Sequence, residues 1–294
     1  MKSLAKKIML LLPPYVRQFF IFIYRLGYIP NFKNPKTYNE KLNYRKLYWT
    51  NPLFVKCADK VAAKEYVRDV LGDSVIIENY FVGDSICAEK LKSIIQEKNG
   101  VLIKANHNSG PVFLLDINST NNEIEQAVSS VMQQLGVDYG AFNNEGWYRE
   151  IKPKVLVERR LYPDKGDSDL RDYKFHVFNQ GEGRDPIVIL HIDFNRFTNH
   201  SRSYFDEDLN YLPFSAGYPS IVTTLGEVPN YMEMFAAAKK LAKPFSYVRV
   251  DFYSLESGFY FGEMTFAPGS GGSRFTNRAY DLWMGQHWVE DLRN

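Results

Sequence analysis

Arg249-Val-Asp-Phe-Tyr253 and Phe261-Gly-Glu-Met-Thr-Phe-Ala-Pro-Gly-Ser-Gly271 read as two adjacent strands, each carrying one carboxylate, Asp251 and Glu263, toward a common point. The intervening Ser254-Leu-Glu-Ser-Gly258 supplies a turn, so the two strands close as a hairpin. Arg249 stands beside the acids, and a glycine-rich segment follows them. Two hard oxygen donors on a sheet, with neither His nor Cys nearby, suit Mg2+ rather than zinc. Such an ion takes its remaining ligands from water and nucleotide phosphates, which points to phosphoryl transfer. The plainer alternative is a surface hairpin whose acids are merely solvated.

The rest of the composition narrows the field. A chain of 294 residues with 45% hydrophobic and 24% charged residues has the makeup of a folded protein with a large core. A net charge of +2 creates no global field for nucleic acid, so none is expected as a partner, and an anionic substrate must be held by local clusters. Cys57 and Cys87 make neither a metal box nor a disulfide framework, which favours a reducing, cytoplasmic setting.

The first 24 residues stand apart. Lys2, Lys6 and Lys7 flank Ile8-Met-Leu-Leu-Leu12, and Phe19-Phe-Ile-Phe-Ile-Tyr24 follows after Pro13, Pro14 and Arg17. The broken apolar run is too short to span a bilayer, and Leu-Pro-Pro-Tyr-Val-Arg offers no signal-peptide cleavage site. Two readings remain open: a helix lying at the cytoplasmic face of a membrane, or a helix packed on the domain.

From Asn34-Pro-Lys-Thr-Tyr-Asn-Glu-Lys41 the pattern turns helical. Thr37 with Glu40 forms a capping box, predicting a helix to about Trp49, and Asp59 to Val67 carries a second helical pattern toward Gly72. Together they make a helical leading module over 1–72. Next come a strand at Val75-Ile-Ile77, a helix from Ala88 to Lys98, strands at Val101–Lys104 and Phe113–Leu115, and a helix from about Asn122 to Leu135. Lys154-Val-Leu-Val-Glu-Arg-Arg-Leu161 is an apolar strand running into charge. Asp172-Tyr-Lys-Phe-His-Val-Phe178 alternates strictly, predicting a half-buried strand; Ile187 to Asp193 is a further strand, and Asn230 to Leu241 a helix. No internal repeat appears. The divisions at 73–160 and 161–294 follow these patterns.

Between two of the strands lies Lys104-Ala-Asn-His-Asn-Ser-Gly110. A lysine leading into a small polar loop offers an ammonium and backbone N–H groups to phosphate oxygens, with Asn108, Ser109 and Gly110 at its tip. Many ordinary hairpins share that composition.

Strand, lysine, loop and strand, then a strand ending in Val-Glu, then the acidic hairpin: over roughly 55–275 this order resembles the ATP-grasp superfamily. The resemblance implies that Asp59-Lys60 reaches the phosphates, that Lys104 and the loop from Asn106 to Gly110 cover them, and that Glu158 and the backbone to Leu161 read adenine and ribose. Arg249, Asp251 and Glu263 match the elements that hold phosphate and two magnesium ions. Thr265 stands where an Asn is usual, and a short helical leader replaces a full preceding α/β domain.

Asn34 to Lys41, Asp59-Lys60, Asp172-Tyr-Lys-Phe175 and Phe261-Gly-Glu-Met-Thr-Phe266 are similar to the signatures of the TupA-like ATP-grasp family. Membership implies an α+β chain whose two α/β subdomains clasp ATP, and an enzyme of bacterial surface-polysaccharide biosynthesis that joins an amino acid or other amine to a uronic acid of capsule or O-antigen. In that reading a carboxylate attacks the γ-phosphate of ATP, and an amine then displaces phosphate from the acyl phosphate. Mg2+ sits on Asp251, Glu263 and Thr265, while Lys60, Lys104 and Arg249 stabilise the transferred group.

Lys174 alternates with Tyr173 and Phe175 and so faces the opposite side of its sheet, as a phosphate or carboxylate ligand would. Arg196 and Arg274 are candidate clamps for the acceptor carboxylate. His107 and His176 read more readily as hydrogen-bonded bystanders than as acid-base groups. A metal-dependent glycosyltransferase is the competing enzyme class, but Asp206-Glu-Asp208 follows a loop rather than a strand end.

Overall fold

The computed structural model describes residues 2–165, 169–195 and 198–294, with side chains from residue 6 onward. Helices α1 (Lys2–Leu11) and α2 (Pro14–Leu26) are separated at the Pro13-Pro14 pair, with Pro14 at the first position of α2, where its missing N–H costs nothing. Helix α3 (Tyr38–Tyr48) has the expected box: the Thr37 side chain accepts from the Glu40 N–H, and the Glu40 carboxylate accepts from the Thr37 N–H at 3.0 Å. The helix expected from Asp59 toward Gly72 is α5 (Ala62–Leu71), and a short α4 (Leu53–Ala58), not expected, precedes it, with Asp59 between the two accepting from the Val61 N–H at 2.9 Å.

A four-stranded antiparallel sheet follows, built from β1 (Asn79–Gly83), β2 (Gly100–Ala105), β3 (Phe113–Asp116) and β4 (Val155–Arg159) in the order β1-β4-β2-β3. Helices α6 (Ala88–Lys98) and α7 (Asn121–Leu135) cover one face, where Val101, Ile103, Val155 and Val157 share a core with Leu91, Ile95, Ile124 and Val131. Alternation leaves Lys104 and Glu158 on the other face. The strand expected at Val75-Ile-Ile77 is absent. Asp73–Val75 is a 3-10 turn, and the Ile77 carbonyl is taken by the Lys64 ammonium at 2.6 Å, so that backbone serves a side chain rather than a ladder.

After the short α8 (Tyr139–Asn143), a six-stranded antiparallel sheet is formed by β5 (Asp172–Phe178), β6 (Ile187–Phe194), β7 (Ser201–Phe205), β8 (Tyr211–Leu212), β9 (Tyr247–Leu255) and β10 (Gly258–Thr265), ordered β10-β9-β5-β6-β7-β8. Its apolar face carries Tyr173, Phe175, Val177, Leu190, Val250 and Phe252 into the largest core, which also holds Phe54 of α4, Val67 of α5, and Met234 and Leu241 of α9 (Tyr231–Ala242). On the opposite face Tyr38 and Leu42 of α3 pack with Phe178, Tyr247 and Trp288, beside α10 (Arg278–Gln286). The alternation of β5 is as expected but its half-burial is not. All seven residues are buried, because β5 lies between β9 and β6 and its polar row sits under other side chains. No helix among the described residues is long and apolar enough to cross a membrane.

Candidate active site

The hairpin's register explains how its acids meet. Leu255 opposes Gly258 and Phe252 opposes Phe261; continued unchanged, that register would set Gly262 against Asp251 and Glu263 against Val250, on the core face. A bulge between Phe261 and Glu263 adds one residue, so Glu263 opposes Asp251, Met264 opposes Val250 in the core, and Thr265 opposes Arg249. A Cβ at Gly262 would lie 3.1 Å from the Asp251 carbonyl oxygen, so glycine suits the bulge.

Arg249 ties this face together. Its Nε donates to Asp251 Oδ1 at 2.7 Å and its Nη2 to Asp251 Oδ2 at 2.7 Å, to Glu263 Oε1 at 3.0 Å and to Thr265 Oγ1 at 3.0 Å. Burial works against its charge, yet Asp251 and Glu263 hold the guanidinium well above its ordinary value. In the next strand Lys174 opposes Asp251, and its Nζ lies 2.9 Å from Asp251, 3.4 Å from Asp172 and 3.9 Å from Asp193. Asp193 is held in turn by Arg202 at 2.7 Å and by His200 at 3.0 Å. Burial would raise the Asp193 carboxyl, but His191 and Arg202 outweigh it and keep Asp193 well below the usual carboxylate range.

A buried hydrogen-bonded chain runs along the same floor. Tyr38 Oη meets Tyr247 Oη at 2.5 Å, Tyr247 Oη meets His176 Nδ1 at 2.8 Å, and His176 Nε2 meets His191 Nδ1 at 2.8 Å. A donor order running from Tyr38 through Tyr247 and His176 to His191 satisfies each of these contacts with both imidazoles neutral. Burial, His191 and the cations Arg249, Arg202 and Lys174 push His176 well below its ordinary value, and burial with Arg202 and Arg249 does the same to His191 against the pull of Asp193.

Above this floor is a cavity of about 510 Å³, lined by Lys174, His176, His191, Arg202, Arg249, Glu263 and Thr265, with Ser109 of the polar loop among its walls. The loop is pinned from below. Asn106, fully buried, donates to Asp59 at 2.8 Å and to the Lys152 carbonyl at 3.1 Å, and its Oδ1 accepts from the Lys154 N–H at 2.7 Å. Lys60 Nζ donates to the Asn108 carbonyl at 2.5 Å, and Asn108 Oδ1 accepts from the Gly110 N–H at 2.9 Å. Burial depresses the Lys60 ammonium, against the pull of Glu263 from one sheet and Glu158 from the other, so Lys60 lies within electrostatic reach of both sheets.

Glu158 does not line this cavity. It is buried between two ammonium groups, paired with Lys104 and, at 2.8 Å, with Lys64. Burial opposes its charge, but the two lysines hold the carboxyl below its ordinary value. Leu161 lies beyond the end of β4 and also outside the cavity walls. Arg274 is exposed and sits in a neighbouring depression with Tyr28 and Asp281, its guanidinium donating to the Arg25 carbonyl at 3.1 Å rather than facing Arg249. Arg196 lies outside the described residues. The sequence reading missed Lys64, which looks like any helix-surface lysine. It also missed His191 and Arg202, although His191 and Asp193 alternate through an otherwise apolar strand, the mark of a buried polar row.

The donor set suits an oxygen-preferring cation that brings much of its own shell. Glu263, whose side chain is 37% exposed, and Thr265 face the cavity, their oxygens 3.3 Å apart. Asp251, 1% exposed, already has both oxygens engaged by Arg249 and Lys174, so it anchors cations first and would ligate an ion only by exchanging one of them. Among the described residues no cluster of three or more His, Cys, Asp or Glu forms a metal cage.

No curated protein matches the chain. Among solved structures it resembles D-alanine-D-alanine ligase from Helicobacter pylori, at 16% identity over 80% of this chain and 61% of that one, with a TM-score of 0.46. D-alanyl-alanine synthetase A from Vibrio cholerae O1 biovar eltor gives 12% identity over 71% and 55%, TM-score 0.43. The ATP-grasp ligase PsnB, complexed with a phosphomimetic variant of its minimal precursor, Mg and ADP, gives 10% over 74% and 52%, TM-score 0.40. The chain thus spans little more than half the length of these proteins, and likenesses this distant say nothing of its activity. The model described as TupA-like ATP-grasp, by contrast, matches residues 40–289, most of the sequence, and the chain accordingly belongs to the TupA-like ATP-grasp family.

Proposed function

We propose that this protein is an ATP-dependent carboxylate-amine ligase that attaches an amino acid or other amine to a uronic acid of a bacterial surface glycan or its precursor. The observation that carries the reading is the row Glu263, Arg249 and Lys174 lining one cavity, with Ser109 of the polar loop also among its walls. In this arrangement residues 73–160 are one jaw, 161–294 the other, and 1–72 the leader.

Arg249 and Lys174 meet the transferred phosphoryl group, and Lys60, Lys104 and the N–H groups of Asn108, Ser109 and Gly110 hold the phosphates behind it. Glu158 orients Lys104 and, with the backbone to Leu161, borders the adenine side. A substrate carboxylate oxygen bonds to the γ-phosphorus as the bond to the ADP oxygen breaks; the amine nitrogen then bonds to the acyl carbon, phosphate leaves with the bonding pair, and the amine gives up a proton. Mg2+, held by Glu263 with Asp251 and Thr265, would neutralise charge on the phosphate oxygens. Arg202, already at the cavity wall, joins Arg196 and Arg274 as a candidate carboxylate clamp. A lipid-linked acceptor would place the enzyme at a membrane face.

The test incubates the protein with Mg-ATP, a uronic-acid acceptor and a panel of amino acids while following phosphate release and product mass. Amide product with stoichiometric ADP is expected. A melting temperature raised by a uridine-diphosphate sugar but not by Mg-ATP would replace this reading with a glycosyltransferase.

A further inference from the structure

Helix α2 is apolar on two faces. Inward, Ile21, Phe22 and Leu26 are buried beside Arg17 and Gln18, with Arg17 donating to the Ala141 carbonyl at 2.9 Å and the Gln18 side-chain amide meeting that of Asn144 at 3.0 Å. Val16, Phe20 and Tyr24, spaced one turn apart, face outward, with Phe20 52% and Tyr24 88% exposed. Leu11 at the end of α1 is 85% exposed, and Ile8 and Ile29 are exposed as well. Of the 20 exposed large apolar residues among the described ones, eight fall within the first 29 positions, so this is a concentrated patch rather than ordinary surface scatter.

Charge selects the occupant. Residues 1–36 contain seven of the chain's 36 lysines and arginines and none of its 34 acids, so this segment is +7, while the remainder, with 29 bases against 34 acids, is −5. Lys6, Lys7, Lys33 and Lys36, in the same segment as the exposed apolar residues, are all exposed, Lys6 with its ammonium over the Phe142 ring. A second copy of this chain would have to bury those like charges against each other. An anionic lipid surface neutralises them, and its interfacial zone accepts Phe and Tyr side chains. Neither helix has the length or apolarity to cross the bilayer.

We propose that α1 and α2 form a docking face that lies flat on an anionic membrane, Phe20 and Tyr24 entering the acyl boundary and the lysines meeting lipid phosphates. The inference stands apart from the ligase reading, since neither Phe20, Tyr24 nor any of the lysines it invokes lines the cavity. Phe20 and Tyr24 leave the fold intact when changed, because more than half of each is already in solvent.

The full chain is sedimented with vesicles of phosphatidylcholine alone or with one third phosphatidylglycerol. Strong partition to the anionic vesicles is expected, weakening as salt rises. The Phe20→Ser/Tyr24→Ser double variant should bind at least ~100-fold more weakly, and Lys6→Glu/Lys7→Glu roughly 20-fold more weakly. Circular dichroism and the melting temperature of both variants serve as the folding control, and Leu11→Ser provides an independent third variant. Wild-type protein that stays in the supernatant, or variants that pellet as well as wild type, overturn the proposal. So does a dimer seen by light scattering that the Phe20→Ser/Tyr24→Ser variant dissolves while vesicles retain nothing, for the patch would then be an interface between copies.

Discussion

The paired histidines make the stability of this protein depend on pH in a way that can be calculated. His176 and His191 are 2% and 1% exposed, hydrogen-bonded to each other at 2.8 Å, and held well below their ordinary value of 6.5 by burial and by nearby cations. Unfolding lets both titrate normally. Because the folded pKa is depressed, the unfolded chain binds more protons below pH 6.5, so stability is fully present above that pH and falls as the solution is acidified. From pH 7.5 to 5.5 the loss is about 1.4 kcal/mol for each histidine and about 2.7 kcal/mol for the two. His107 and His287 are also depressed, chiefly by burial, and add to the wild-type slope. The measurement is therefore differential: urea unfolding at both pH values for wild type and for His176→Asn/His191→Asn, whose own acid loss should be smaller by that 2.7 kcal/mol. Each single variant should recover about half. Equal acid sensitivity in wild type and double variant would refute the neutral buried pair.

Three further outcomes follow from the geometry. Glu263→Gln, at a partly exposed position, should cut nucleotide-dependent ADP release by about 100-fold or more with little change in melting temperature, whereas Asp251→Asn should also cost about 3 to 5 kcal/mol in denaturant, because Arg249 and Lys174 lose their common partner; unaltered stability of the Asp251 variant would refute its anchoring role. Inserting one residue between Gly262 and Glu263 should carry Glu263 past Asp251 to the core face opposite Val250 and abolish both activity and a cooperative melt, while Gly262→Ala costs only about 1 kcal/mol; an insertion variant with wild-type turnover would refute the need for this register. Lys64→Met should destabilise the protein by about 3 kcal/mol and make Glu158 easier to protonate; an unchanged unfolding midpoint would mean that Lys104 alone satisfies the carboxylate.

What could be read in the sequence was what local chemistry decides. Thr37 with Glu40 announced α3 because both partners of a capping box lie within one turn, and the strict alternation of Tyr173, Phe175 and Val177 placed Lys174 on the polar face without any knowledge of neighbours. The two acids of the hairpin were visible as residue types. Their approach to a common point was read from the hairpin, but the bulge that delivers it was not, because spacing is silent about register, and with Gly262 paired regularly Glu263 would point into the core. Glu158 was legible as a polar end to an apolar strand, but its second cation comes from Lys64, 94 positions earlier, and no local pattern reports such a pairing. The strand expected at Val75-Ile-Ile77 failed for the same reason: a distant ammonium claims its backbone. The second apolar face of α2 became evident only when Ile21, Phe22 and Leu26 were seen packed inward and Phe20 and Tyr24 outward.

Lys174 among Asp172, Asp193 and Asp251, with Arg249 and Arg202 alongside, is a cluster whose charges offset one another within the fold. Its cations need no outside counter-ion to offset mutual repulsion. Under the proposed ligase reading, substrate arrival would be a swap of partners, in which phosphate and carboxylate oxygens displace resident aspartates from the same ammonium and guanidinium groups. A site built this way would give up some binding strength at every entry and regain its order the moment product leaves.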